Sequence, residues 1–261
     1  MNKSKKALAK ILVIIIAVLL FLLVWQIAAW SMDSQILLPG VHHVLARLFD
    51  LFSNEDFFDN IISTVSRAFQ SFMIVIVFAT ILGTLAGRYR LLNWFFTPVL
   101  TVLKTTPVMS VILLAFIWFK TGTVPIFSAF LMGFPIMYMM MEGAVEHLEE
   151  EMNQMCHLYN FTPVQKIRYY IIPTLSKSFS LGAKQTLSMV WKVVVAAEVL
   201  TIPKFGVGSK MQFAQIQLET SEVLAWTLIA ILLSAIGDLV FYAVEDSIIF
   251  IVKKIKEKKA E

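Results

Sequence analysis

Long uninterrupted runs of apolar residues dominate the chain. They lie at about 11–30, 69–87, 95–119, 124–141, 178–200 and 223–250. A helix needs roughly 20 apolar residues to cross a bilayer core about 30 Å thick, and these runs are of that length. They do not alternate with a period of two, as the strands of a membrane barrel would. The pattern therefore predicts an all-α integral membrane protein with about six transmembrane helices.

Composition and charge refine this prediction. Hydrophobic residues make up 58% of the 261 residues and charged residues only 15%, which excludes an ordinary soluble domain. Lys and Arg cluster in both tails and after the second and fourth apolar runs, whereas residues 31–60 are mainly acidic. Because cytoplasmic loops are enriched in Lys and Arg, we expect a multi-pass protein of the cell (inner or plasma) membrane with both termini cytoplasmic. The net charge of +4 then reflects topology, and no nucleic-acid partner is predicted.

This topology divides the chain into three parts. We expect a cytoplasmic tail at 1–10, a single transmembrane domain at 11–252 with a cytoplasmic loop at 142–177, and a basic cytoplasmic tail at 253–261. The basic N-terminus followed by an apolar run resembles a secretory signal. That run is too long, however, and no small-residue cleavage site follows it, so we interpret it as a retained anchor.

Sequence signatures of catalysis, metal binding and nucleotide binding are missing. The chain has no HExxH or GxSxG pattern, and Gly206-Val-Gly208-Ser209-Lys210 lacks the spacing of a phosphate-binding loop. The single cysteine, Cys156, cannot form an internal disulfide and is expected to pack as a small apolar residue. We therefore predict no enzyme activity, metal or cofactor in this chain. Any nucleotide that energises it must bind another subunit.

Polar residues inside the apolar runs are candidates for a translocation path, because charges are costly in a bilayer. Lys184, Ser188 and Lys192 recur every four residues and share one helical face, which we expect to line a water-filled path or a partner subunit. Glu198 lies nearer the outer surface, where a solvated cap is the simpler interpretation. Acidic residues towards the inner end of the last run are expected to face the basic tail or the lipid headgroups; they are Asp238, Glu245 and Asp246.

A second candidate path segment lies in the third run, at Lys104-Thr105-Thr106-Pro107. Pro107 removes a backbone hydrogen bond, and the two threonine hydroxyls can satisfy the carbonyls that it frees. A kinked polar segment at membrane depth suits a substrate path. The alternative is a kink needed only for packing, with Lys104 extending to the membrane surface.

Residues 142–173 form a polar island between apolar runs. We predict a helix from Glu142 to Tyr159 that extends the fourth span, then a cap at Thr162 and a short helix over Val164–Ile172 that Pro173 ends. Such an island could lie on the inner leaflet, but its acidic first half suits an anionic membrane surface poorly.

With this island between its spans, the chain resembles the integral-membrane permease subunits of binding-protein-dependent ABC importers, in the nitrate, sulfonate and taurine group. That family carries a cytoplasmic loop, E-A-A-x3-G-x9-I-x-L-P, which docks into the ATPase subunit. Aligned on Pro173, this chain keeps the spacing but has Gln154-Met155-Cys156 for the first three positions and Asn160 for the glycine. Asn can adopt the left-handed conformation that glycine would supply. By this resemblance the docking residues are Gln154, Met155, Cys156, Leu158, Asn160, Ile167, Ile171 and Pro173.

Other segments are similar to the same family along nearly the whole chain. They are Leu38-Pro39, Thr64-Val65-Ser66-Arg67, Gly83-Thr84-Leu85-Ala86-Gly87, Thr106-Pro107, Val194-Val195-Ala196-Ala197-Glu198 and Gly206-Val207-Gly208. The resemblance implies the permease of an importer powered by cytosolic ATP-binding subunits and supplied by an external solute-binding protein. A second permease copy, identical or similar, would complete the pore.

The solute and the class of transporter stay open at this level. Two copies of Lys192 at the pore favour an anion such as a sulfonate, taurine or nitrate, although vitamin precursors also occur in the group. A self-contained secondary transporter or channel is the main alternative, and it predicts inverted internal repeats, which the sequence does not display. A membrane scaffold whose island recruits a signalling protein is the third possibility.

Overall fold

The computed structural model describes residues 3–148 and 150–257, and the regular elements within them are helical. In chain order they are α1 Lys3–Met32, α2 Val41–Leu51, α3 Phe57–Arg88, α4 Arg90–Thr105, α5 Val108–Trp118, α6 Val124–Glu146, α7 Glu150–Leu158, α8 Pro163–Lys166, a π-helical turn Ile167–Ile171, α9 Ile172–Thr201, α10 Val207–Ile216 and α11 Thr220–Glu257. The predicted tails extend beyond these limits, so residues 1, 2 and 258–261 lie outside the described residues.

The predicted all-α membrane class is confirmed. In the described residues, α1, α3, α6 and α11 are long and apolar enough to cross a membrane, and α4 with α5 forms a fifth candidate bent by 103°. The fifth predicted run lies in α9, which has 30 residues but does not meet the same test, because its polar side chains lower its hydropathy. Six spans are therefore obtained only when the bent pair and α9 each count as one.

Helices α3, α6 and α9 form the centre of the molecule. Small residues let their backbones approach closely: a Cβ added at Gly83 of α3 would lie 2.5 Å from the Tyr138 carbonyl oxygen of α6. One added at Gly87 would lie equally close, 2.5 Å, to the Glu142 carbonyl oxygen. Close backbone contact through small residues is typical of helix packing in membranes. The three helices thus form a closely packed frame for the polar residues described below.

Helix α1 stands apart from this frame. It is apolar on all sides, and its described side chains are mostly exposed, with Ala29 near its end buried. Trp25 and Gln26 near its end anchor the following segment, because Trp25 Nε1 donates to the Pro39 carbonyl oxygen at 3.1 Å and Gln26 Oε1 accepts from Val41 N at 3.0 Å. An all-round apolar helix of this kind is suited to contact with lipid or with another subunit.

Arg47 links α2 to the start of α11. This contact lies towards the C-terminal end of α9, away from the polar island. Its guanidinium is 2.6 Å from Glu222 Oε2 and 2.7 Å from Glu219 Oε2. The hydrogen bond that it donates to Glu222 raises the pKa of Arg47, against the opposing effect of partial burial. Beneath the ion pairs, Trp226 packs with Val44 in an apolar cluster.

Candidate functional site

The polar island folds as two short helical pieces, α7 and α8, with the π-helical turn after them. The predicted cap at Thr162 is confirmed. Gln165 N donates to Thr162 Oγ1 at 3.3 Å, Thr162 N donates to Gln165 Oε1 at 2.8 Å, and Pro163 occupies the first helical position. This reciprocal pair satisfies two backbone donors at the helix start and fixes the direction of α8.

Asn160 supplies the turn between these two pieces. Its φ is 50°, so the predicted left-handed conformation is confirmed. The turn closes the end of α7, with Phe161 N donating to the Cys156 carbonyl oxygen at 2.9 Å. Cys156 is buried, as expected for a small apolar residue. The spacing of the family loop is therefore kept with an Asn-based turn in place of a Gly-based one.

Two details of the predicted island are wrong. The helix expected over Glu142–Tyr159 is interrupted, because α6 ends at Glu146 and α7 begins at Glu150. Pro173 does not end a helix but lies in the first turn of α9, where a missing N–H is tolerated. The π-helical turn runs directly into α9, since Ile172 N donates to the Ile167 carbonyl oxygen five residues earlier. The wider turn lets the helix continue past the proline.

The island presents an unusual amount of apolar surface. Leu158 is 79% exposed and Val164 is 72% exposed. Among the predicted docking residues, those that are also exposed are Gln154, Met155, Asn160, Ile167 and Pro173, whereas Ile171 is half-buried. Apolar side chains exposed close together are a feature of surfaces that contact another protein or a membrane.

The second candidate segment lies at the sharp bend between α4 and α5. Helix α4 ends at Thr105 and α5 begins after Pro107, with 103° between the two axes. As predicted, the threonine hydroxyls satisfy backbone carbonyls: Thr105 Oγ1 donates to the Thr101 oxygen at 2.9 Å and Thr106 Oγ1 to the Val102 oxygen at 2.7 Å. Lys104 lies exposed in the last turn of α4. The kink is sharper than that of a simple proline-bent span.

The polar stripe of α9 is not uniform. Lys192 is exposed and Ser188 is half-buried, but Lys184 forms an ion pair with Glu245 of α11 at 2.7 Å. The expectation that Glu245 would face the basic tail or headgroups is therefore wrong. Within the described ranges, no hydrogen bond or ion pair joins this stripe to the Lys104–Pro107 bend, so the two predicted parts of the path remain separate.

A buried charge network was missed from the sequence. Glu198 is fully buried rather than a solvated cap, so that prediction is wrong. Its carboxylate lies 2.5 Å from Arg67 Nη1 and accepts from Thr64 Oγ1 at 2.9 Å and from Gly208 N at 3.1 Å. Ion pairing and these hydrogen bonds replace the water that the carboxylate loses on burial.

Asn60, Thr64 and Arg67 of α3 form hydrogen bonds with the backbone of the loop between α9 and α10. Gly206 N donates to Asn60 Oδ1 at 2.9 Å, and Val207 N donates to Thr64 Oγ1 at 2.9 Å. Arg67 Nη1 also donates to the Phe205 carbonyl oxygen at 2.8 Å. We call Asn60, Thr64, Arg67 and Glu198 the buried clamp. Asn60, Thr64 and Arg67 follow one another at intervals of four and three residues, which puts three polar groups on one face of the apolar helix α3. This spacing was the feature of the sequence that could have revealed the buried clamp.

Comparison with known proteins identifies the family. The family described as "Binding-protein-dependent transport system inner membrane component" matches residues 76–250. The chain therefore belongs to this family of ABC transporter permeases, as its resemblance implied. In the described part of the chain, no group of three His, Cys, Asp or Glu side chains could hold a metal ion.

Individual relatives are distant but cover most of the chain. A candidate ABC transporter permease of Methanocaldococcus jannaschii is 25% identical over 87% of this chain and 87% of its own length. A candidate aliphatic sulfonates transport permease of Bacillus subtilis is 23% identical over 82% of this chain and 78% of its own. The taurine transport system permease of Escherichia coli is 22% identical over 77% and 75%, respectively.

Proposed function

We propose that this chain forms the translocation path of an ATP-driven importer for a small anionic solute that an external binding protein delivers. The observation that carries the proposal is the family match together with a polar island whose spacing is that of the ATPase-docking loop. The chain itself would perform no covalent chemistry. Cytosolic ATP-binding subunits would dock at the island, on the same side as both termini, and a second permease copy would complete the pore.

The island is suited to transmit motion. It is continuous with α9 through the π-helical turn, so a displacement of the docked surface would act directly on the helix that carries Lys184 and Lys192. At its other end, Glu142 Oε1 accepts a hydrogen bond from Asn93 Nδ2 of α4 at 2.7 Å. Closure of the ATP-binding subunits would therefore move both α9 and the bent pair, which supports an alternating-access mechanism.

Leu158→Asp is expected to abolish stable binding of the ATP-binding subunit, with at least a tenfold loss of ATP-dependent uptake. The side chain is 79% exposed, so an aspartate costs little in the isolated chain, but it places a charge in an apolar contact. Co-purification of the two subunits after mild detergent extraction, together with uptake into proteoliposomes, measures both effects.

Leu218→Asp is the matched control for this variant. Leu218 is 65% exposed and lies near the opposite end of α9, in the link between α10 and α11. Its φ of 62° is one that aspartate adopts readily. The control should retain the ATP-binding subunit. Normal co-purification with Leu158→Asp would contradict docking at the island, and uptake without ATP would favour a secondary transporter.

A negatively charged group on the solute is inferred from Lys192 and from two of the relatives, whose names refer to sulfonates and taurine. Lys192 is exposed on α9, with no ion-pair partner among the described side chains. In a symmetric pore two copies of this lysine would face the solute. Their positive potential would concentrate anions along the path.

Lys192→Ala is expected to lower the uptake efficiency for the transported anion about tenfold, equivalent to about 1.4 kcal/mol. Lys192→Arg keeps the charge and should retain most of the activity. Initial uptake rates into proteoliposomes over a range of solute concentrations distinguish the two variants. If Lys192→Ala transports every tested anion at the normal rate, Lys192 is not part of the path.

A further inference from the structure

An apolar cavity of about 620 Å³ lies between α3, α9 and α11. Each helix contributes an aromatic side chain to its wall: Phe72 from α3, Phe179 from α9 and Phe241 from α11. This volume is in the range of sites that hold small organic ligands. We call it the α3–α9–α11 cavity.

Opposite charges lie side by side in the wall of this cavity. Lys184 Nζ is 2.7 Å from Glu245 Oε2, and the two side chains are 28% and 23% exposed. Ser180 Oγ donates a hydrogen bond to the same carboxylate, and Lys184 Nζ lies 4.3 Å from the ring centre of Tyr242. Among the described residues, neither Lys184 nor Glu245 has another ion-pair partner within 4.0 Å. Lys177 also lines the cavity.

This arrangement discriminates among ligands by their charge. A ligand with a single charge that displaces one member of the Lys184–Glu245 pair leaves the other member without its partner beside apolar walls. An unpaired charge in such surroundings is strongly unfavourable. A ligand that carries both charges pairs its anionic group with Lys184 and its cationic group with Glu245. Neither side chain is then left without a counter-charge.

We propose that the α3–α9–α11 cavity binds a zwitterionic solute, with its oxyanion on Lys184, its ammonium group on Glu245 and its apolar body against Phe72, Phe179 and Phe241. The Ser180 hydroxyl also lines the site, and the ring of Tyr242 holds the Lys184 ammonium group by its face, 4.3 Å from the ring centre. The inference rests on the proposed function in taking the cavity as a stopping point on the transport path. It narrows the solute from an anion to one that also carries a positive charge.

Three probes of one shape test this preference. They are phenylalanine, which carries a carboxylate and an ammonium group on one carbon beside an apolar body, 3-phenylpropanoate, which lacks the ammonium group, and 2-phenylethylammonium, which lacks the carboxylate. Isothermal titration calorimetry with the purified full chain in dodecyl maltoside micelles measures their affinities. The zwitterion is expected to bind at least tenfold more tightly than either single-charge probe. Equal or tighter binding of a single-charge probe would overturn the proposal.

Variants locate the binding in the cavity. Lys184→Met and Glu245→Gln should each weaken binding of the zwitterion at least tenfold, whereas Lys120→Met, an exposed lysine outside the cavity, should not change it. Unchanged binding in both cavity variants would place the ligand elsewhere and overturn the proposal. The exchange K184E/E245K keeps both charges in the cavity. It therefore tests the preference for the zwitterion if the single variants fail to fold. A folded exchange variant that no longer prefers the zwitterion would also overturn it.

A lipid is the competing occupant, since phosphatidylethanolamine carries the same two charges on its headgroup. Phosphatidylethanolamine added to the micelles is expected to leave the affinity for the zwitterionic probe unchanged. Loss of probe binding would assign the cavity to lipid and overturn the assignment to a solute. No ATP is present in these titrations. Failure of ATPase docking at Leu158 would contradict the proposed function, whereas failure of zwitterion binding would contradict only the assignment of the cavity. The two results can therefore be told apart.

Discussion

Arg67→Met is expected to destabilise the protein more than any other single substitution considered, by about 3–5 kcal/mol. The change removes the only described ion-pair partner of Glu198, whose side chain is fully buried. A carboxylate left without its counter-charge in the interior keeps its desolvation cost and loses the compensating attraction. The loop at Phe205 loses its hydrogen bond at the same time. The melting temperature of the purified chain in mild detergent, and the folded fraction on size-exclusion chromatography, measure the loss.

Arg47→Met is the matched control for this prediction. Arg47 also pairs with glutamates, but its side chain is 39% exposed and that of Glu219 is 46% exposed, while Glu222, at 16% exposed, keeps a hydrogen bond from Trp226 Nε1. Removing an ion pair of this kind costs only about 0–1 kcal/mol. A second comparison, R67M/E198M, should recover part of the lost stability, because no buried charge is left. If Arg67→Met melts at the same temperature as Arg47→Met, the buried clamp does not stabilise the fold.

Gly83→Ala is expected to destabilise the α3–α6 interface by about 1–3 kcal/mol or more. The added methyl group would lie 2.5 Å from the Tyr138 carbonyl oxygen, a backbone atom that can move only if the two helices separate. If the two helices separate at Gly83, the neighbouring contact between Gly87 and Glu142 is also weakened. Thermal unfolding in mild detergent measures the effect, and uptake should fall in parallel because the frame of the pore is disturbed.

Gly143→Ala is the control, since it makes the same change in α6 at a position with no heavy atom within 4 Å of the added Cβ. A glycine in a helix interior is less favourable than alanine by roughly 0.5–1 kcal/mol, so this variant should be unchanged or slightly more stable. Equal melting temperatures for Gly83→Ala and Gly143→Ala would contradict close packing at the α3–α6 contact.

The fold and part of the candidate site could be predicted because they depend on local physics. Apolar runs of bilayer length predicted α1, α3, α6 and α11. The turn at Asn160 and the cap at Thr162 follow from the conformational preferences of residues close in sequence, and both were confirmed. The break at Pro107 was likewise visible, but its 103° angle was not, because an angle depends on what the two helices pack against.

The interpretation of charged residues failed where their partners lay far away in sequence. Glu198 was placed at the solvent and Glu245 at the headgroups, on the basis of their positions along their own helices. The partner of Glu198 is 131 residues away, at Arg67, and Lys184 is on a different helix from Glu245. A local pattern contains no information on which helices are neighbours, so neither pair could be assigned.

Membrane class, helical content and the short-range turns of the island were readable from residue order, because each depends on groups within a few positions of one another. Membership of the permease family was readable from similar segments along nearly the whole chain. The buried clamp, the contact of Gly83 with α6 and the charge pair in the α3–α9–α11 cavity required the packed chain. Burial and ion pairing are properties of surroundings that distant segments create together. A lysine or glutamate therefore acquires its role only when the helices have been placed against one another.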